Sequence, residues 1–213
     1  MQKTSFALIF FITCLAWPSS FVFAQGPTFD CAKAQGEVEK LICSDPSLSA
    51  LDQKLAEVYK AAFAKAKDGL DRQLTVDQRG WIKGRNECWK ARDKTWITET
   101  WTVDTVRDCV DAHYRLRTSE LQAVWRLVSP KTVSFVCQNN PANMVVADFF
   151  ATDPATIRLE RGDRTVTLWL VGPESNGLYE GQNVRLVHKG NDLKLSWLDT
   201  YTGKTDELQC MKQ

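Results

Sequence analysis

Past its first two dozen residues the chain has no apolar run long enough to cross a bilayer, no excess of charge of either sign, no C-x-x-C pair, and only two histidines, His113 and His188. Each absence removes a class of function. A membrane-spanning helix needs ~20 consecutive apolar residues, so no transmembrane segment is expected. Taking Lys3 from the 27 Lys+Arg leaves the basic residues equal in number to the 26 Asp+Glu. Such balance argues against nucleic acid or an anionic membrane as a partner found through bulk charge. Without C-x-x-C spacing and with so few histidines, a zinc site is not expected, and no cofactor is implied. Catalysis is equally poorly provided for. His113 falls beside Tyr114 with no nucleophile near it in the pattern, and no pair of acidic residues stands out as a catalytic dyad. The chain is therefore not read as an enzyme.

What is present begins with an export signal. Lys3 precedes an apolar run from Phe6 to Trp17, then Pro18-Ser19-Ser20 and Val22-Phe23-Ala24, with the small residues that a signal peptidase requires. Cleavage is expected after Ala24, giving a periplasmic or secreted chain that starts at Gln25. Cys14 raises the rival reading of a lipoprotein, but Phe11-Ile12-Thr13 before it lacks the small residues of a lipobox. Six cysteines follow the signal: Cys31, Cys43, Cys88, Cys109, Cys137 and Cys210. An even number in an exported chain points to disulfides.

The apolar period changes once along the chain. Asp45-Pro46 reads as a helix N-cap with proline in the first turn, and Leu48, Leu51, Leu55, Val58, Tyr59, Ala62 and Phe63 follow on one stripe. A second stripe carries Leu74, Gln78, Trp81, Ile82, Arg85, Cys88 and Trp89. A third carries Val103, Val106, Val110, Tyr114, Arg117, Leu121 and Val124. Stripes one face wide belong to helices packed on one another. Ser129-Pro130 ends this pattern. Beyond it Val133, Phe135 and Cys137 alternate, as do Val166, Leu168 and Leu170, and Leu193, Leu195 and Trp197, with turn residues between the runs. Many short strands at this spacing predict a small antiparallel barrel or sandwich. The fold class is thus α+β in two domains, a disulfide-bonded helical domain over 25–129 and a strand domain over 130–213, after a signal over 1–24.

The cysteines divide four and two between these halves. A bridge from Cys137 to Cys210 would tie together the ends of a domain of roughly 80 residues with a limited core. In the helical half Cys31 with Cys43 and Cys88 with Cys109 would each close a local loop, although four cysteines permit three connectivities.

Two resemblances to known families follow from the residues themselves. Phe29-Asp30-Cys31-Ala32-Lys33-Ala34, Glu39-Lys40-Leu41-Ile42-Cys43 and Leu48-Ser49-Ala50-Leu51-Asp52 are followed by Gln78-Arg79-Gly80-Trp81, Arg85-Asn86-Glu87-Cys88, Cys109, Tyr114 and Arg117. In that order they resemble the small α-helical periplasmic domains of the LprI lysozyme-inhibitor family. In the strand half, Val133-Ser134-Phe135-Val136-Cys137, Ala147-Asp148-Phe149-Phe150, Ser175-Asn176-Gly177-Leu178-Tyr179, Lys189-Gly190 and Cys210 are similar to the membrane-bound and periplasmic inhibitors of c-type lysozyme. That MliC/PliC-like resemblance implies a barrel of about eight strands whose serine-glycine and lysine-glycine loops enter the lysozyme cleft. Ser175, Asn176, Gly177, Tyr179, Lys189 and Gly190 occupy the matching positions. The sequence departs from the family where Asn176 replaces glycine, Val187 an aromatic residue and Leu193 an alanine, which bears on affinity more than on fold. The implied partner is c-type lysozyme, with peptidoglycan as a second candidate.

Each of these residues also has an ordinary role. Lys189-Gly190-Asn191-Asp192 would make a hairpin turn with a solvated lysine whether or not it binds anything. Ser175 could satisfy backbone in a turn rather than donate to a lysozyme carboxylate, and Tyr179 suits packing behind the loop better than direct contact. Glu174, Glu180 and Asp192 surround the loops in sequence, as an acidic rim facing a cationic partner or as plain surface charge. The rival function is glycan binding through aromatic platforms. Trp81 and Trp89 are expected in the core, whereas Trp96 and Trp101 lie in a connecting segment open to solvent.

Overall fold

A computed structural model describes residues 26–93, 95–96 and 102–213. The signal segment, Cys14 and Trp101 lie outside the described residues.

A short 3-10 turn at Cys31–Lys33 leads into four helices: α1 Glu37–Ser44, α2 Pro46–Lys65, α3 Leu70–Asn86 and α4 Val106–Val124. A two-residue ribbon, β1 Thr95–Trp96 with β2 Thr102–Val103, precedes α4. Asp45 caps α2 as its sequence requires, accepting from the amides of Ser47 and Leu48, with Pro46 in the first turn. Arg107 on α4 reaches the same carboxylate at 2.8 Å, so the cap also ties α2 to α4. Thr105 caps α4 by accepting from the Asp108 amide. Between α2 and α3 the chain reverses through Asp68 and Gly69, both at positive φ.

Most positions of the expected stripes form the helical core, whereas Phe63, Ile82 and Val124 stay exposed. Leu48, Leu55, Leu74, Val110, Tyr114 and Leu121 are buried, joined by Val38 and Ile42 of α1. Trp89 departs from expectation and is 50% exposed. Its stripe assumed a continuous α-helix, but α3 ends at Asn86 and residues Glu87–Asp93 form a 3-10 helix. The tighter winding, about 120° per residue instead of 100°, turns Trp89 outward while Cys88 stays buried.

After α4, Trp125 and Leu127 still pack on the helical core, and Lys65 donates to the carbonyls of Trp125 and Arg126 at 3.0 and 2.8 Å. Eight strands follow: β3 Lys131–Cys137, β4 Met144–Phe150, β5 Thr156–Arg161, β6 Arg164–Leu170, β7 Leu178–Gly181, β8 Val184–Lys189, β9 Asp192–Leu198 and β10 Thr205–Lys212. Each pairs antiparallel with the next, and β10 pairs with β3 to close the barrel. The alternating residues read from the sequence face inward, with Phe135, Leu159, Leu168, Leu186, Leu193 and Leu195 fully buried. Closure leaves the sheet without a free edge. Cys210 lies directly opposite Cys137 on the closing pair, and their disulfide crosslinks that seam. The other bridges are Cys31–Cys43 and Cys88–Cys109, the local pairings.

Among the described residues no disulfide joins the halves, but polar contacts do. The Trp169 indole on β6 donates to the Ser119 hydroxyl on α4 at 3.1 Å. Arg115 on α4 pairs with Asp153 in the β4–β5 loop. Arg126 in the connection pairs with buried Asp148 on β4, which also accepts from Thr132. The helices therefore lean on one wall of the barrel.

Candidate functional site

The antiparallel register decides which loops share an end of the barrel. β7 begins where β8 ends, because Leu178 lies opposite Val187. The β6–β7 loop, with Ser175, Asn176 and Gly177, is thereby brought beside the β8–β9 turn, with Lys189 and Gly190, although residues 178–188 separate them in the chain. The two are bonded through the backbone. The His188 amide donates to the Gly177 carbonyl at 3.0 Å.

Glycine is required at 177. Its φ is +80°, and a Cβ there would stand 2.4 Å from the His188 carbonyl oxygen. Asn176 adopts the left-handed region at φ 53°, ψ 36°, a conformation that asparagine tolerates, so the replacement of glycine leaves the turn intact. In the second loop Lys189 and Asp192 are paired across a two-residue turn with Gly190 at φ 60°. Glycine at the first central position suits a turn whose twist matches the strands.

The side chains divide by role. Lys189 is exposed, and among the described residues no carboxylate pairs with it. Ser175 is half-buried and its hydroxyl donates to the Gly172 carbonyl, so the turn-forming role is the one it plays here. Tyr179 points inward and packs on the barrel core, and burial pushes its phenol pKa up. Gly177 and Gly190 shape the turns. Leu193 is fully buried on the inner face, so this departure from the family lies in the core rather than on the loop surface.

The acidic rim is smaller than expected. Glu174 and Asp192 are exposed, but Glu180 is only 3% exposed. Period-two alternation puts Glu180 on the outer wall opposite Trp169, where it pairs with Arg185 at 2.8 Å and lies away from the loops.

His188 was not singled out by sequence reasoning, which considered it only as a metal ligand. Its ring lies 4.8 Å from Phe149 and 5.8 Å from Phe135, beneath the joined loops. Burial lowers its pKa, a hydrogen bond involving the Gly190 backbone opposes this, and the charge of Lys131 reinforces it. The position preceding Lys189 carried the only available signal.

The helical half has its own polar centre. Asp52 on α2 accepts from the Thr28 amide and hydroxyl at 2.6 Å and from the Tyr114 phenol at 2.8 Å. Arg85 on α3 donates to the same phenol at 2.6 Å and to Asn86, and lies 3.9 Å from the Asp52 carboxylate. Burial, with Asp52 adding to it, raises the Tyr114 pKa against the pull of Arg85. Satisfied in this way, the charges serve to join α2, α3 and α4. Trp81 stacks edge-on against Tyr114 at 5.3 Å and borders an open cleft of about 470 Å³. It was expected in the core, and it is only partly buried.

Cys88, Cys109 and His113 place three potential metal-ligand atoms within 4.8 Å of one another. The two sulfurs are joined in a disulfide, which leaves no thiolate to bind an ion. Burial and the charge of Arg85 lower the His113 pKa. No helix among the described residues is long and apolar enough to cross a membrane.

The family match to known proteins falls on the helical half. The family described as Lysozyme inhibitor LprI matches residues 31–121, from Cys31 to the last turns of α4. Lipoprotein LprI of Mycobacterium bovis and Lipoprotein LprI of Mycobacterium tuberculosis are each 25% identical to the chain over 143 residues. That alignment covers 66% of this chain and 65% of each relative. No solved structure matches the chain significantly. The four-helix segment thus carries a match to the LprI lysozyme-inhibitor family, and that family match ends before the eight-stranded barrel begins.

Proposed function

We propose that the protein is an exported inhibitor of lysozyme that acts by binding rather than by catalysis, and that loops of its barrel block the active-site cleft of a c-type enzyme. The observation that carries this reading is the juxtaposition of the Ser175–Gly177 loop with the Lys189–Gly190 turn at one end of a closed, disulfide-tied barrel. The LprI family match supports lysozyme as the partner. The resemblance of the strand-half sequence motifs to the inhibitors of c-type lysozyme supports the mechanism.

A c-type lysozyme cleaves glycan between two carboxyl groups. An ammonium inserted between them satisfies both and occupies space that the sugar needs. Lys189 suits this task because it stands on a short rigid turn, carries a long side chain and spends no charge on a carboxylate of its own barrel. Ser175, Asn176 and Gly177 form the neighbouring wall, and Tyr179 holds that wall from behind. Such a protein protects peptidoglycan in the envelope, consistent with a signal ending at Ala24 and with three disulfides.

The test is clearance of a peptidoglycan suspension by c-type lysozyme, with the disulfide-bonded chain added in increasing amount. Competitive inhibition that weakens in Lys189→Ala supports the proposal. A wild-type chain that leaves clearance unchanged overturns it.

A further inference from the structure

The cleft in the helical half lies on the other body of the protein, and its chemistry differs from that of the barrel loops. Its volume of about 470 Å³ is in the range of small-molecule sites, about 300–1,000 Å³. Trp81 and Ile82 of α3 and Tyr59 of α2 form apolar walls, and Asp52 and Arg85 lie at its floor. Ile82 remains 39% exposed there, although Leu74, Arg85 and Cys88 of its stripe are buried.

Both cations of the cleft stand beside a carboxylate, and its third carboxylate, Glu39, is held by neutral donors. Asp52 and Arg85 are both buried and satisfied by each other, Thr28, Tyr114 and Asn86. Lys33 at the rim lies 3.6 Å from Asp30, and Glu39 accepts from the Gln35 amide. An anionic ligand would meet no unmatched cation, and a cationic ligand would lose its hydration for a carboxylate already engaged. A neutral ligand is favoured. It needs an apolar face for Trp81 and Tyr59, and hydroxyl or amide groups for Glu39 and Gln78. The Gln78 side chain accepts from Arg117 through Oε1, which leaves its NH2 as a donor at the cleft wall. A pyranose ring offers an apolar C–H face edged with hydroxyls. An acetamido group adds an amide together with a methyl that suits the aliphatic wall at Leu55 and Ala56.

We propose that this cleft binds an N-acetylhexosamine unit of a glycan strand, with Trp81 as the stacking platform. Binding here does not depend on inhibition by the barrel. It would hold the inhibitor on the polymer that lysozyme attacks.

The experiment is calorimetric titration of the disulfide-bonded chain with tetra-N-acetylchitotetraose, alongside its fully deacetylated counterpart. Saturable one-site binding is expected with a dissociation constant of ~1 mM or tighter. Trp81→Phe should weaken it about tenfold through loss of stacking surface. Ala56→Trp fills the cleft without removing a core side chain and should abolish binding, which keeps the test decisive should Trp81→Phe fail to fold. Trp89→Ala, at an exposed tryptophan outside the cleft, should bind as the wild type does. The deacetylated sugar should bind at least about tenfold more weakly. Absence of saturable heat up to ~10 mM would overturn the proposal, as would unchanged affinity in Ala56→Trp or equal affinity for the deacetylated sugar. Lysozyme clearance, read separately on the same proteins, reports on the barrel loops and leaves this outcome independent.

Discussion

Replacing Lys189 with alanine isolates the inserted-cation mechanism, because the structure gives this side chain no structural task. It is exposed, it caps no helix, and no carboxylate among the described residues pairs with it. Its truncation should leave the barrel's stability and spectrum unchanged. In a complex the ammonium would lie desolvated between two carboxyl groups, and removing one partner of a buried charge pair costs ~3–5 kcal/mol. At ~1.4 kcal/mol per tenfold, the inhibition constant should rise by roughly two to three orders of magnitude. Ser175→Ala should do less. Its hydroxyl is held by the Gly172 carbonyl, so the loss is about one neutral hydrogen bond, ~0.5–1.5 kcal/mol. The general acid of c-type lysozyme has a pKa of about 6. Lys189 attracts that group only in its ionised form, so the complex lowers its pKa. Inhibition should be strongest above the free value and decline as pH falls through the lowered one. The assay is initial-rate clearance at several inhibitor concentrations and pH values, with circular dichroism as the fold control. A folded Lys189→Ala that inhibits as well as the wild type refutes the mechanism.

Gly177→Ala should distort the joined loops, since it combines a strained φ of +80° with a Cβ 2.4 Å from the His188 carbonyl; inhibition should drop while the far-ultraviolet spectrum persists, and unchanged inhibition would contradict a rigid paired-loop site. Removing the Cys137–Cys210 bridge with a double alanine variant should destabilise the barrel by ~2–5 kcal/mol in urea titration, and a smaller loss would show that closure by β10 suffices alone. Fragments 25–129 and 130–213 should fold separately, helical and strand-rich in turn, because each has its own core and disulfides; an oxidised fragment without structure would show that contacts such as Ser119–Trp169 are indispensable. Stability should also decrease on acidification. Burial lowers the pKa of both His113 and His188, so the unfolded chain binds more protons below its value of about 6.5. The loss begins as pH drops through that unfolded value and continues to the lowered folded ones, and His113→Phe should flatten part of the dependence of the urea midpoint on pH.

Several features were legible in the sequence because they depend on near neighbours. Asp45-Pro46 marks the start of α2 through a cap that spans three residues. The change from a helical period to alternation after Pro130 reports which faces are apolar, and the division of the cysteines follows it. Local closure of Cys31–Cys43 and Cys88–Cys109 likewise needs little knowledge of the fold. The loop residues Ser175 and Lys189 could be named from family resemblance, but their adjacency depends on the β7–β8 register and the bond from His188 to Gly177. Other outcomes required the tertiary structure outright. Trp89 turned outward because a 3-10 segment replaced the last turns of a stripe, a difference in winding that apolar spacing does not encode. Glu180 left the acidic rim because strand alternation placed it on the outer wall against Trp169, where Arg185 could pair with it. Trp81 and Ile82 read as core residues in one dimension, yet α2 and the N-terminal segment stop short of covering them, and a cleft remains. Periodicity tells which face of an element is apolar; only packing of the elements decides whether another surface meets that face or a ligand can.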